Sequence, residues 1–169
     1  RYTPIIDKDD LVSQIPSLKK SLIYYKDYQG KYVEDILGQE MTSQATVFEA
    51  QVLASSMVLS SSQGYHLFEL PQEAQYSPIH AVLLDDFDGD GIVDMVAGGN
   101  QYRVKPQFGR FDASQGWFFK GQLEGASFQF LTGVSLGIPG EIRDIELIEV
   151  NGDKFLIFAK YDDKLEIYR

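Results

Sequence analysis

Cysteine is absent from this sequence. That excludes disulfides, zinc–thiolate sites and thiol catalysis. Histidine occurs only at His66 and His80, so imidazole general bases have little material. No apolar run approaches the roughly 18 residues of a membrane span. No glycine-rich phosphate-cradling motif of the P-loop type occurs. Positive charge is scarce, with 15 Lys and Arg against 25 Asp and Glu and a net charge of -10. Nucleic acids and anionic lipid surfaces want a basic face, and this balance argues against both. What is present is a globular composition: 44% hydrophobic and 13% aromatic over 169 residues, enough for one domain with a sizeable core. The chain starts at Arg1 rather than Met. It therefore reads as a piece of a longer protein, with any targeting segment outside it.

The acidic residues are not evenly spread. Asp86-Phe87-Asp88-Gly89-Asp90-Gly91-Ile92-Val93-Asp94 places carboxylates at alternate positions of a tight loop. Ca²⁺ is a hard cation that takes oxygen ligands at roughly 2.3–2.6 Å. The side chains of Asp86, Asp88, Asp90 and Asp94 and the carbonyl of Ile92 are the expected ligands. Asp85 points the other way by alternation and is expected behind them. An EF-hand begins similarly but needs a bidentate Glu at its twelfth position, and Ala97 stands there. The flanks Ile79–Leu84 and Ile92–Ala97 are short, apolar and β-branched, so the loop is expected to join two strands. The plainer alternative is a solvated acidic hairpin without an ion.

This strand–DxDxDGxxD–strand unit resembles the FG-GAP/VCBS repeat of integrin-like β-propellers. Glu73-Ala-Gln-Tyr-Ser-Pro78, Gly98-Gly-Asn-Gln-Tyr102 and Gly109-Arg-Phe-Asp-Ala-Ser114 extend the likeness toward large bacterial surface proteins with VCBS repeats. The resemblance implies β-propeller blades, structural Ca²⁺, an extracellular or outer-surface location, and protein or glycan ligands. It implies no reaction.

Residues 1–52 read as a helical segment, an insertion beside the blades. Leu11, Ile15, Leu18, Leu22 and Tyr25 recur at three- and four-residue steps. Asp7-Lys8-Asp9-Asp10 reads as an N-terminal cap. Pro16, Gly30 and Gly38 read as boundaries between helices. Tyr24, Tyr25, Tyr28 and Tyr32 either pack with their hydroxyls at the surface or form a sugar-stacking face.

Residues 53–169 read as β-structure. Hairpins are expected at 56–70 and at 117–131, the second turning at Glu124-Gly125-Ala126. Three strands are expected over 142–150, 154–160 and 164–168, the first two joined by Asn151-Gly152 in a type I′ turn. The 100–116 stretch reads as a long loop. Its Tyr102, Arg103, Lys105, Arg110 and Phe111 could grip an anionic or sugar ligand, or simply form a structural Ω-loop.

An internal repeat organises this half. Ile79, Val82 and Leu84 align with Ile142, Ile145 and Leu147, each 63 residues on. The hairpin residues 64–70 align with 125–131. In the simple alignment Lys154 replaces Gly91 and Ile157 replaces Asp94, so the second copy has lost its metal loop. A period of about 60 residues with four short strands is blade-like. The expected fold is mainly β: a partial β-propeller of two to three antiparallel four-stranded blades with a small N-terminal helical segment. Too few blades are present to close a ring, so the chain reads as the tail of a propeller, an open stack of two to three blades, or a subunit that self-associates through its unpaired edges. The expected function is a non-enzymatic, calcium-stabilised interaction module. The rival is part of a glycan-processing or other hydrolytic enzyme, with Asp112 and Glu141 as its carboxylates.

Overall fold

The computed structural model describes residues 1–125 and 127–169. The chain divides into two units, Arg1–Gln51 and Val52–Arg169. Among the described residues it is mainly β with small helical content, and its antiparallel sheets do not close into a barrel or ring. No described helix is long and apolar enough to cross a membrane.

The first unit holds three short helices, α1 (Lys8–Gln14), α2 (Val33–Leu37) and α3 (Gln39–Gln44), with 3₁₀ turns at Pro16–Lys20 and Tyr25–Asp27. Asp7 caps α1 by accepting from the Asp10 amide at 2.8 Å, satisfying one of the amides a helix start leaves without a partner. Pro16 opens the next turn, where its missing N–H costs nothing. Leu18, Leu22 and Ile36 are buried together, with Leu11, Ile15 and Tyr28 packed against them. The tyrosines divide. Tyr28 packs on this cluster and donates its hydroxyl to the Ile6 carbonyl, whereas Tyr24 and Tyr25 lie exposed.

The second unit contains all the strands found among the described residues. β1 (Ser56–Ser61) and β2 (Gly64–Glu69) form a hairpin. β3 (Ile79–Asp85), β4 (Asp94–Gly99), β5 (Trp117–Phe119) and β8 (Val134–Ser135) form a four-stranded sheet in that order. β6 (Gly121–Glu124) and β7 (Ser127–Phe130) pair with each other. β9 (Ile142–Val150), β10 (Asp153–Lys160) and β11 (Glu166–Tyr168) make a three-stranded sheet.

Two sequence expectations change here. Among the described residues one sheet has four strands and the last has three, and a run of four-stranded propeller blades is not seen. Nor does 117–121 pair along its length with 127–131. Trp117–Phe119 joins β4 instead, and the chain changes partners at Lys120, with β6 continuing into the outer hairpin. Gly121 makes this switch feasible: a Cβ there would stand 2.1 Å from the Val93 carbonyl oxygen. The expected turn at 124–126 ends on Ala126, outside the described residues.

The two long hairpins pack on one another. Ala81 and Val96 of the first are buried with Ile142, Ile145 and Phe158 of the second, and Leu83, Phe118 and Leu156 lie against them. Gly98 lets Ile142 approach; a Cβ there would meet its side chain at 2.6 Å. The opposite face of β4 places Met95 and Ala97 in a second cluster with Ala74 and Phe119.

Strand register refines the repeat. Leu84 pairs with Met95, and its counterpart Leu147 pairs with Leu156; Val82 pairs with Ala97, and Ile145 with Phe158. Asp85 pairs with Asp94, whereas Ile148 pairs with Phe155. The structural counterpart of Asp94 is therefore Phe155, not Ile157. The difference arises because β9 and β10 close directly through Asn151 and Gly152, at φ 55° and 88°, the positive pair a type I′ turn needs.

Candidate metal centre

The acidic loop spans the gap between β3 and β4, as its flanks predict. One ligand oxygen each from Asp86, Asp88 and Asp94 lie within 4.8 Å of one another. Each is placed by backbone amides. Asp86 accepts from Gly89 and Asp90 on one oxygen, at 2.7 and 3.1 Å, and from Gly91 on the other at 2.9 Å. The loop thus wraps around this side chain. Gly89 and Gly91 sit at φ 78° and 83°, where a Cβ would be strained.

Asp94 is fully buried and ties three segments together. Its Oδ2 accepts from the Phe87 amide at 3.1 Å and its Oδ1 from the Gly121 amide at 2.8 Å. The start of β4, the start of the loop and the chain switch at Lys120 therefore meet on one carboxylate.

Asp90 stands outside the triad. Its Oδ1 accepts from the Ile92 amide at 2.9 Å and its Oδ2 from Lys120 Nζ at 2.8 Å. Those two donors, Lys120 first, hold its carboxyl below the ordinary aspartate range. Lys120 also donates to Asp88 Oδ2, and this pair of carboxylates pushes its ammonium upward from the ordinary lysine value. Ile92 enters the site here through its amide. Asp85 accepts from the Asp86 amide at 2.9 Å and lies 3.7 Å from Lys154, so it braces the loop from behind.

The donor set fits a hard cation. Every side-chain donor is a carboxylate oxygen, the ligand type of Ca²⁺ and Mg²⁺. A carboxylate oxygen carries two lone pairs, so amide bonding at Asp86 and Asp94 leaves capacity for an ion. Of the four loop carboxylates only Asp88 and Asp90 meet an ammonium, that of Lys120, and a divalent ion would offset much of the remaining repulsion.

Comparison with family models, with curated proteins and with solved structures gives no match. The site is therefore read from its own geometry.

The 100–116 loop is fastened at its base. Asn100 is fully buried at φ 85°. It accepts from the Ser77 hydroxyl at 2.7 Å and the Ser114 amide at 2.9 Å, and donates to the carbonyls of Ser114 and Gly140 at 2.8 and 2.9 Å. A bridge between Gln101 and Phe111 closes the loop. Arg110 lies over the Tyr102 ring at 5.1 Å. Arg103 lies over Tyr161 at 4.5 Å and near Asp162 at 3.8 Å. Lys105 belongs to the same loop and is engaged by partners of its own. Tyr102, Arg103 and Arg110 thus make contacts within the chain, and Phe111 stays part-exposed. Glu141 is buried, accepting from the Tyr102 amide at 2.9 Å and from Arg143 at 2.7 Å. Asp112 is exposed on the same loop.

Sequence reasoning missed Lys120 and the role of Asn100. Lys120 lies 30 residues beyond Asp90, and nothing local to it marks it as the loop's counter-charge. Asn100 carried a faint signal, as an asparagine at a strand end where a left-handed turn tolerates it.

Proposed function

We propose that this chain is a non-enzymatic, calcium-stabilised interaction module built from β-propeller-type repeats of the FG-GAP/VCBS kind. The observation that carries the reading is the convergence of Asp86, Asp88 and Asp94 at the join of two antiparallel strands. Asp86, Asp88 and Asp94 hold the ion. Asp90 and the Ile92 carbonyl complete its shell once Lys120 withdraws. Bound Ca²⁺ supplies structural charge compensation: it joins the ends of β3 and β4 and stabilises the folded state by mass action. The repeats then present rigid loops to a protein or glycan partner at the outer surface of a bacterial cell or beyond it.

A thermal melt in Ca²⁺ against chelator tests this. At free Ca²⁺ about 100-fold above Kd, linkage gives roughly 2.7 kcal/mol of added stability. The upward shift is expected to vanish in Asp88→Ala. An unshifted wild-type melt would leave the loop as a lysine-bridged acidic turn without a metal role.

A further inference from the structure

The two units succeed one another in the chain at Gln51 and Val52. Between the end of α3 at Gln44 and the start of β1 at Ser56 the chain forms no helix or strand. Residues 45–53 are all exposed. Residues 46–53 take part in no backbone–backbone hydrogen bond among the described residues. One side chain is tethered, Glu49 accepting from the Tyr2 hydroxyl at 3.2 Å. Main-chain fastening resumes at Ser55, whose amide donates to Gln75 Oε1 at 2.7 Å and whose carbonyl accepts from the Leu70 amide at 2.9 Å.

Two large apolar side chains stand in water on this stretch, Phe48 at 91% and Leu53 at 90% exposure. Neither belongs to a core. The first unit buries Leu18, Leu22 and Ile36 together, and the second is built on the clusters around Val96 and Phe119. A break at Phe48 therefore leaves each core whole on its own side.

An endopeptidase takes its substrate as extended chain. It pairs with the main chain on both sides of the scissile bond, as in strand addition, and seats one side chain in a primary pocket. A segment already hydrogen-bonded must first open, at a cost in free energy; residues 46–53 have no backbone pairing to give up. The two apolar positions are not equivalent. Residues 45–48 and 49–52 flank the Phe48–Glu49 bond, and their one backbone bond is at the far end, from the Ala45 amide to the Thr42 carbonyl at 3.3 Å. Just past the Leu53–Ala54 bond stands the clasped Ser55. Exposed aromatics elsewhere are held: Tyr65 is paired with Ser60 in the β1–β2 hairpin, and the Phe108 amide donates to the Lys105 carbonyl at 3.0 Å.

We infer that this segment is a processing site, at which an endopeptidase with an apolar primary pocket seats the Phe48 ring and hydrolyses the Phe48–Glu49 bond. The C–N bond breaks. The oxygen of water bonds the Phe48 carbonyl carbon, and its two protons end on the Glu49 nitrogen, leaving a carboxylate and an ammonium. The β piece so released begins at Glu49 and holds β1–β11. The inference uses neither the cation nor the repeat, so a failed calcium melt leaves it untouched.

The probe is chymotrypsin, whose primary pocket is apolar, applied briefly to the whole chain in native buffer and read by intact mass. The first cut is expected after Phe48, and the 49–169 product should then resist further digestion. A first cut after Leu53, Tyr65 or Phe108, or a β piece degraded as fast as it forms, would overturn the assignment. Phe48→Gly should slow the first cut by about tenfold or more, the scale set by removing carbon from a hydrophobic pocket. Its denaturation midpoint should match wild type, because the ring lies in water. A variant cut at the wild-type rate would count against the site. Urea below the midpoint separates open chain from unfolding, since cleavage through an unfolded state follows that state's population. Measured against a free peptide of residues 44–55, the rate at Phe48 should stay constant; a rise in step with unfolding would refute the inference.

Discussion

Lys120 Nζ stands 2.8 Å from Asp90 Oδ2, and its second carboxylate partner is Asp88. The chain thus carries a built-in monovalent counter-charge at the place where a divalent ion would act. On the proposed calcium reading the two compete for the carboxylate of Asp88, which belongs both to the acidic triad and to the lysine pair. Lys120→Met should therefore tighten Ca²⁺ binding by roughly two- to tenfold, the range expected for losing partly exposed ion pairs. It should also lower the melting temperature in chelator. Calorimetric titration and paired melts check both signs; weaker Ca²⁺ binding in the variant would show that the ammonium helps to assemble the site.

Asp94 should matter even without metal. Its buried carboxylate accepts amides from Phe87 and Gly121, so Asp94→Ala leaves both donors without a partner. A loss of about 2–4 kcal/mol is expected by urea denaturation in chelator. Asp94→Asn, which keeps one acceptor oxygen, should cost less. Asp88→Ala, at the exposed side of the loop, should cost little in chelator and much in Ca²⁺.

The 56–70 hairpin, the Asn151-Gly152 turn and the strand–loop–strand setting of the acidic run were legible because they depend on local chemistry: alternation, turn glycines, carboxylate spacing. The helical unit was legible in its apolar period, through Leu11, Ile15, Leu18 and Leu22. What escaped was set by distant contacts. The partner switch at Lys120 depends on how closely Gly121 approaches Val93, and the ion-pairing of Asp90 depends on a lysine at the junction of β5 and β6. The length of the β9–β10 hairpin also misled: a two-residue turn shifts β10 against the simple alignment, so that Phe155 stands in the place of Asp94.

Gly121 and Gly98 should respond differently to alanine. At Gly121 the new Cβ would press on the backbone oxygen of Val93 at 2.1 Å, whereas at Gly98 it meets the movable side chain of Ile142 at 2.6 Å. Gly121→Ala is expected to cost about 2 kcal/mol or more and Gly98→Ala less, since a side chain repacks more readily than a strand moves. Chemical denaturation of the two variants ranks them.

Lys160 gives the molecule an alkaline limit. Its ammonium is buried against Glu166 at 2.8 Å and Asp163 at 3.2 Å. Glu166 foremost raises its pKa above the ordinary 10.5. The raised folded value means that this contribution is complete below about 10.5 and is lost as pH climbs through the folded pKa. Asp163, held below 3.8 by the Lys164 amide and by Lys160, contributes above that value and loses its share as pH falls through its lowered pKa. Lys160→Met should flatten the stability–pH curve on the alkaline side, as melts from pH 8 to about 12 would reveal. An unchanged slope would assign the alkaline loss to other groups.

Asn151 and Gly152 clasp β9 to β10 with backbone geometry alone, while β3 and β4 are bridged by eight residues bristling with negative charge. On the proposed calcium reading the two hairpins therefore answer differently to a fall in ambient calcium. Deuterium would enter the amides around Leu84 and Met95 first, and those around Leu147 and Leu156 would keep their protection. A fluctuation in the medium would loosen one shoulder of the molecule and leave its neighbour firm.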